Sequence, residues 1–139
     1  MRRNHFYLEA PELTQELLTI KWTLKSAGFS IGSTWHEGQV SALALTSKDH
    51  WNAWTVQQIQ SCDSLVVICG KNDRAAAELA MMAGLALARG LKVIWIGSPV
   101  RSLKAFGAVC QFNTAEEYRK QVLQKMYFSS AGTEVGMAA

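Results

Sequence analysis

Glu78 is a single carboxylate near the start of an otherwise apolar segment: Ala75, Ala76, Ala77, Leu79, Ala80, Met81, Met82, Ala83. A charged side chain in such a helix is costly unless it sits near an end, is hydrogen-bonded or opens onto a pocket. Near the helix N-terminus the macrodipole favours an anion. Two uses fit this placement. One is a nucleophile or general base at a pocket floor, and the other is an acid that only complements the dipole. The preceding loop, Gly70-Lys71-Asn72-Asp73-Arg74, is placed to offer backbone donors to a phosphate or ribose. It contains neither G-x-G-x-x-G nor G-x-x-x-x-G-K-[ST], so a dinucleotide fingerprint and a P-loop are both absent. Asp73 reads first as a helix cap. Gly70, Asn72 and Asp73 are still candidate substrate contacts.

Other candidates lie on the strands before this helix. Tyr7 and Glu9 alternate with Phe6 and Leu8, so they share one face of a first strand. Tyr7 is placed to hydrogen-bond a catalytic carboxylate, or to be an ordinary buried tyrosine. Glu9 stands at the strand's exit as a candidate substrate contact. Trp35 and His36 leave the second strand toward the same edge, Trp35 to stack on a base and His36 as a loop residue beside it. Ser98 follows the fourth strand at that edge. Trp51 and Trp54 read as core packing ahead of ligand stacking.

These residues need a scaffold that gathers strand exits and helix starts. Leu65 to Ile68 and Val93 to Ile96 are continuous apolar runs, the pattern of strands buried on both faces of a parallel sheet. The full reading is a strand over 5–9, a helix entered through Pro11 with a stripe of Leu13, Leu17, Ile20 and Leu24, and a strand over 29–34. A mobile loop or helical turn is expected over 39–46, then a helix over 48–61 capped by Ser47. A strand over 64–69, a helix over 73–89, a strand over 92–96 and a short strand over 109–112 follow. Thr114 and Glu117 form a capping box for a last helix ending near Met126. Gly28 and Gly90 mark helix stops. The order predicts a flavodoxin-like, doubly wound α/β sandwich. Its mostly parallel sheet has about five strands in the order 2-1-3-4-5, with helices on both faces. Ligands of such sheets bind outside the carboxyl ends of the strands, where the 70–74 loop and Glu78 fall. One domain over 1–128 is expected, followed by a flexible tail over 129–139.

Composition narrows the class. Three cysteines without C-x-x-C spacing and three scattered histidines argue against a disulfide framework and a metal site. A net charge of +3 without a basic stripe gives no support to nucleic-acid binding. No apolar run nears the roughly 20 residues that a membrane helix needs, and the start lacks the pattern of a signal peptide. A cytoplasmic protein without membrane contact, cofactor or metal is expected. No G-x-S-x-G or H-E-x-x-H occurs.

The ordered pieces YLEAP, GFSIGSTWHEG, QSCDSLVVI, AAAELAMMAGLALARGLKVIWIG and QFNTAEEY span roughly residues 4 to 125. Together they resemble the nucleoside 2-deoxyribosyltransferase-like superfamily, which includes deoxynucleoside-monophosphate N-glycosidases. The resemblance implies a homodimer or larger oligomer that cleaves the N-glycosidic bond of a nucleoside or nucleotide. It makes Glu78 the nucleophile on C1′ and Tyr7 its orienter, as in retaining glycosidases. The pattern departs in three places. Glu78 stands twelve residues before Gly90, where the family's glutamate stands eight before its glycine and Met82 fills that place here. Thr55 replaces an acid, and Asn-Asp-Arg-Ala-Ala replaces a glycine-rich lead-in. A non-catalytic nucleotide sensor is therefore the alternative, and a TIR-like NAD-cleaving protein a further one.

Overall fold

The computed structural model describes residues 5–70, 73–98, 100, 103 and 108–130. The strands are β1 (His5–Glu9), β2 (Ser30–Ile31), β3 (Ser64–Gly70), β4 (Lys92–Gly97) and β5 (Val109–Phe112). The helices are α1 (Gln15–Ser26), α2 (Lys48–Gln60), α3 (Asp73–Ala88) and α4 (Ala115–Ser130). The sheet order is β2-β1-β3-β4-β5 and every described pairing is parallel. This is the flavodoxin-like α/β arrangement.

Side-chain alternation sorts the core into two layers. Phe6, Leu8, Val66, Ile68, Ile94 and Ile96 meet Leu17, Ile20 and Leu24 of α1 and Tyr118 and Val122 of α4. Tyr7, Leu65, Val67, Cys69, Val93 and Trp95 meet Ile59 of α2 and Leu79, Ala83 and Ala86 of α3. Tyr7 and Glu9 thus belong to the α2–α3 side by strand parity. The pairing of Tyr7 with Leu65 and of Glu9 with Val67 sets the end of β1 beside mid-β3.

Local chemistry explains the element ends, including those that differ from the sequence reading. Helix α1 starts after Thr14, whose Oγ1 accepts from the Leu17 N–H at 3.3 Å. Pro11 is thus not its first residue, and Leu13 lies outside it, 53% exposed. A threonine that satisfies an orphan donor outcompetes proline's favourable φ. Strand β2 has two residues rather than six, because the Gly32 N–H bonds to the Phe6 carbonyl and the chain then leaves the sheet. The uncertain 39–46 stretch contains a 3-10 turn, Leu43–Leu45. Ser47 caps α2 as expected, accepting from the His50 N–H at 3.1 Å. The capping box of α4 is offset by one residue: the Glu117 N–H donates to Thr114, while the Glu117 carboxylate accepts from Asn113. Helix α4 reaches Ser130, two residues into the expected tail, and 131–139 lie outside the described residues.

Gly32 is required by close approach. A Cβ there would meet His5 Nε2 at 2.5 Å and Cys62 Sγ at 2.7 Å. Both neighbours are buried side chains with little room to retreat. Gly32→Ala is expected to lower stability by about 1–3 kcal/mol, read by urea unfolding. An unchanged midpoint would show that the contact yields freely.

Candidate functional site

A cleft of about 310 Å³ opens at the carboxyl end of β1. Two carboxylates (Glu9, Glu78) and two indoles (Trp35, Trp51) line it, with Ala10, Pro11, Ala75 and Leu79 between them. Helix α3 supplies Ala75, Glu78 and Leu79, an i, i+3, i+4 set on one face. In a parallel α/β sheet, helix starts face the strand exits. Trp51, in the first turn of α2, and Glu9, the last residue of β1, therefore reach one place.

Trp35 is held by a braced 3-10 turn, Trp35–Glu37. Its Nε1–H donates to the Leu8 carbonyl at 2.8 Å, so the indole is fixed to β1. Ser33 Oγ accepts from the Leu8 N–H at 3.0 Å and pairs with His36 Nε2 at 2.9 Å. Lys21 Nζ donates to Glu37 at 2.6 Å and draws that carboxyl below its usual range. His36 is buried in this brace behind Trp35, its ring edge-on to the indole at 5.5 Å, and is not among the described residues that line the cleft. Burial first, and then the Lys21 charge, lower its pKa. The imidazole is thus a neutral strut near neutral pH rather than a group presented to a ligand.

The two carboxylates have different surroundings. Glu9 is partly buried at the strand end, and no cation among the described residues is paired with it. Burial raises its pKa from 4.5 to about 7, opposed only in part by the Ala10 N–H. A carboxyl poised there can give or take a proton at neutral pH. Glu78 is at the rim, its side chain 63% exposed and paired with Lys48 Nζ of α2 at 2.5 Å. Lys48 is equally open to water, so the pair adds little stability, but it sets where the carboxylate stands. Met82, one turn further along α3, is half-buried and packs into the α2–α3 layer.

Tyr7 is fully buried in that layer, and its hydroxyl has no hydrogen-bond partner among the described residues. Burial and then the charge of Glu9 push its pKa upward. The Thr55 hydroxyl exerts a weak opposing pull but is engaged elsewhere, donating to the Trp51 carbonyl at 2.9 Å. Glu9 is thus the carboxylate whose charge acts on the Tyr7 hydroxyl. Tyr7→Phe is expected to hold or raise stability, by up to about 1 kcal/mol, because it removes an unpaired buried polar group. A lower urea midpoint in the variant would reveal a hydrogen bond.

Of the other sequence candidates, Gly70 ends β3 opposite Gly97, and Asp73 is the first residue of α3. Ser98 is exposed, and its carbonyl accepts from Trp95 Nε1 at 2.9 Å. Ser98 is not among the described residues lining the cleft. Asn72 lies outside the described residues. The structure brings together Glu9, Trp35 and Glu78. It adds Trp51, which the sequence assigned to the core, and Lys48. The available signal was the Ser47 cap, which places residues 48–51 at the α2 start and hence at the ligand edge of the sheet.

No group of three or more His, Cys, Asp or Glu side chains converges as a metal site among the described residues. No helix searched there is long and apolar enough to cross a membrane. No family model matches the chain, and no curated protein matches it.

Proposed function

We propose that the cleft binds a nucleoside or nucleotide and that the protein cleaves or transfers at its N-glycosidic bond. The observation that carries this reading is the pair of unlike carboxylates in one aromatic cleft. Pairs of acids whose environments differ are how acid and base roles are divided at neutral pH. In the proposed reaction a Glu78 oxygen attacks C1′ as the C1′–N bond breaks, and the bonding electrons leave with the base. A neutral base takes a proton from Glu9. Glu9, now ionised, then removes a proton from water or from an incoming base, whose oxygen or nitrogen displaces Glu78 from C1′. Trp35 and Trp51 offer stacking surface for the heterocycle.

The test is chromatography for free base after incubation with nucleosides, nucleoside monophosphates and NAD. Release of a base supports the reading, and the substrate that reacts distinguishes it from NAD cleavage. Saturable binding without turnover would favour a second reading, a non-catalytic nucleotide sensor. That reading draws on Glu78 standing at the rim with Lys48 while Met82 occupies the deeper turn. A cytoplasmic homodimer belongs to both readings. Sedimentation as a monomer would remove this part.

A further inference from the structure

The described wall of the cleft is electronegative and aromatic. It holds two carboxylates and two indoles, and the one described lysine paired with either carboxylate, Lys48, is bound to Glu78 at the rim. Glu9 has no cationic partner among the described residues. The Trp35 N–H is spent on the Leu8 carbonyl, so this indole offers its π-surface and not its donor. Indole faces attract cations, and a buried carboxylate gains most from a counter-charge. A neutral purine or pyrimidine would leave Glu9 uncompensated by the described residues.

We propose that the ligand of this cleft is a nucleoside whose heterocycle carries a fixed positive charge, such as a pyridinium or an N-alkylated purine. This rests on the nucleoside reading above and narrows its substrate class. Such a leaving group suits the site chemically. When C1′–N breaks, the electron pair neutralises the ring nitrogen, so the base departs uncharged and needs no proton. Glu9 enters ionised as counter-ion and serves as the base toward water in the second step. The water proton goes to Glu9, its oxygen goes to C1′, and Glu78 is released.

The test is calorimetric binding of nicotinamide riboside to the full chain. Its 1,4-dihydro form, of the same heavy-atom shape but uncharged, is the comparison. At about pH 8, where Glu9 is ionised, the charged riboside is expected to bind at least about tenfold more tightly than the dihydro form. The preference over the dihydro form should fall to about threefold or less in Glu9→Gln. Trp51→Leu should weaken the charged riboside more than the dihydro form. Equal binding of the two ribosides, or an undiminished preference in Glu9→Gln, would each overturn the proposal. Free nicotinamide is followed in the same samples. Cation preference without release sustains this inference and removes the catalytic reading. Release of base from neutral nucleosides, with no cation preference, does the reverse.

Discussion

Glu78→Gln is expected to abolish base release, lowering the rate by at least about a thousandfold, while ligand binding changes by less than about tenfold. The amide keeps the shape and hydrogen-bonding reach of the side chain. It is too weak a nucleophile to form the C1′–O bond, so the covalent step is lost and not merely weakened. Binding should survive because Glu78 stands at the rim, with Trp35, Trp51 and Glu9 carrying most of the cleft. Stability should also survive. The Lys48–Glu78 pair is open to water on both sides, and exposed pairs contribute only about 0–1 kcal/mol. The variant should therefore unfold within about 0.5 kcal/mol of the parent, which separates lost chemistry from lost fold. Lys48→Ala is the companion variant. It frees the carboxylate without altering it, so a change in rate much smaller than for Glu78→Gln is expected. Full base release by Glu78→Gln would remove the nucleophile role. Loss of ligand binding together with rate would turn Glu78 into a recognition group and favour the sensor reading.

The sheet was legible because its signals are strong and local. Runs such as Leu65–Ile68 and Val93–Ile96 have no polar side, and only a strand covered on both faces tolerates that. The doubly wound order then follows from right-handed crossovers and chain length. Single strong caps, Ser47 and Thr114, placed two helix starts, whereas at α1 the favourable φ of Pro11 competed with the side-chain acceptor of Thr14. Strand β2 was over-extended because its end is set by one tertiary contact, Gly32 against Phe6, and no local pattern encodes that.

The site was legible in part for the same reason. Glu9, Trp35 and Glu78 lie at strand exits and a helix start, places that topology alone identifies. Trp51 was assigned to the core because two tryptophans three apart in a helix usually pack inward. Here the two rings are tilted by 57° with centroids 5.4 Å apart, and Trp51 turns partly to the cleft. His36 and Ser98, also candidate contacts, are not among the described residues lining the cleft: the His36 ring pairs with Ser33 and the Ser98 carbonyl accepts from Trp95 Nε1, hydrogen bonds that spacing cannot rank against ligand contact. The link of Tyr7 with Glu9 depends on depth within the layer, a property that strand parity does not carry.

Glu9→Gln is expected to make the protein more stable at alkaline pH and no more stable in acid. Burial raises the Glu9 pKa from 4.5 to about 7 in the folded chain. Between those values the folded state holds a proton that the unfolded state has released, so stability falls as pH rises through this window. Above the window the full penalty is present, and below it both states are protonated and the penalty vanishes. The shift of about 2.5 units sets an upper bound of about 3 kcal/mol. Because one side of the carboxyl opens to the cleft, about 1–2 kcal/mol is the expected gain for the neutral amide. Urea unfolding of parent and variant at about pH 4 and about pH 8 checks this. The midpoints should coincide at the lower pH and separate at the higher one. Separation of equal size at both would mean that the gain comes from packing and not from charge. The same substitution removes the proton donor and acceptor of the proposed reaction, so release of a neutral base should fall by about 100-fold or more. The falling limb that Glu9, needed protonated for release of a neutral base, gives to the pH–rate profile should vanish with it. An expensive buried carboxyl that the fold would be more stable without is the expected mark of a residue kept for chemistry. A variant that gains stability and loses no function would leave Glu9 without that justification.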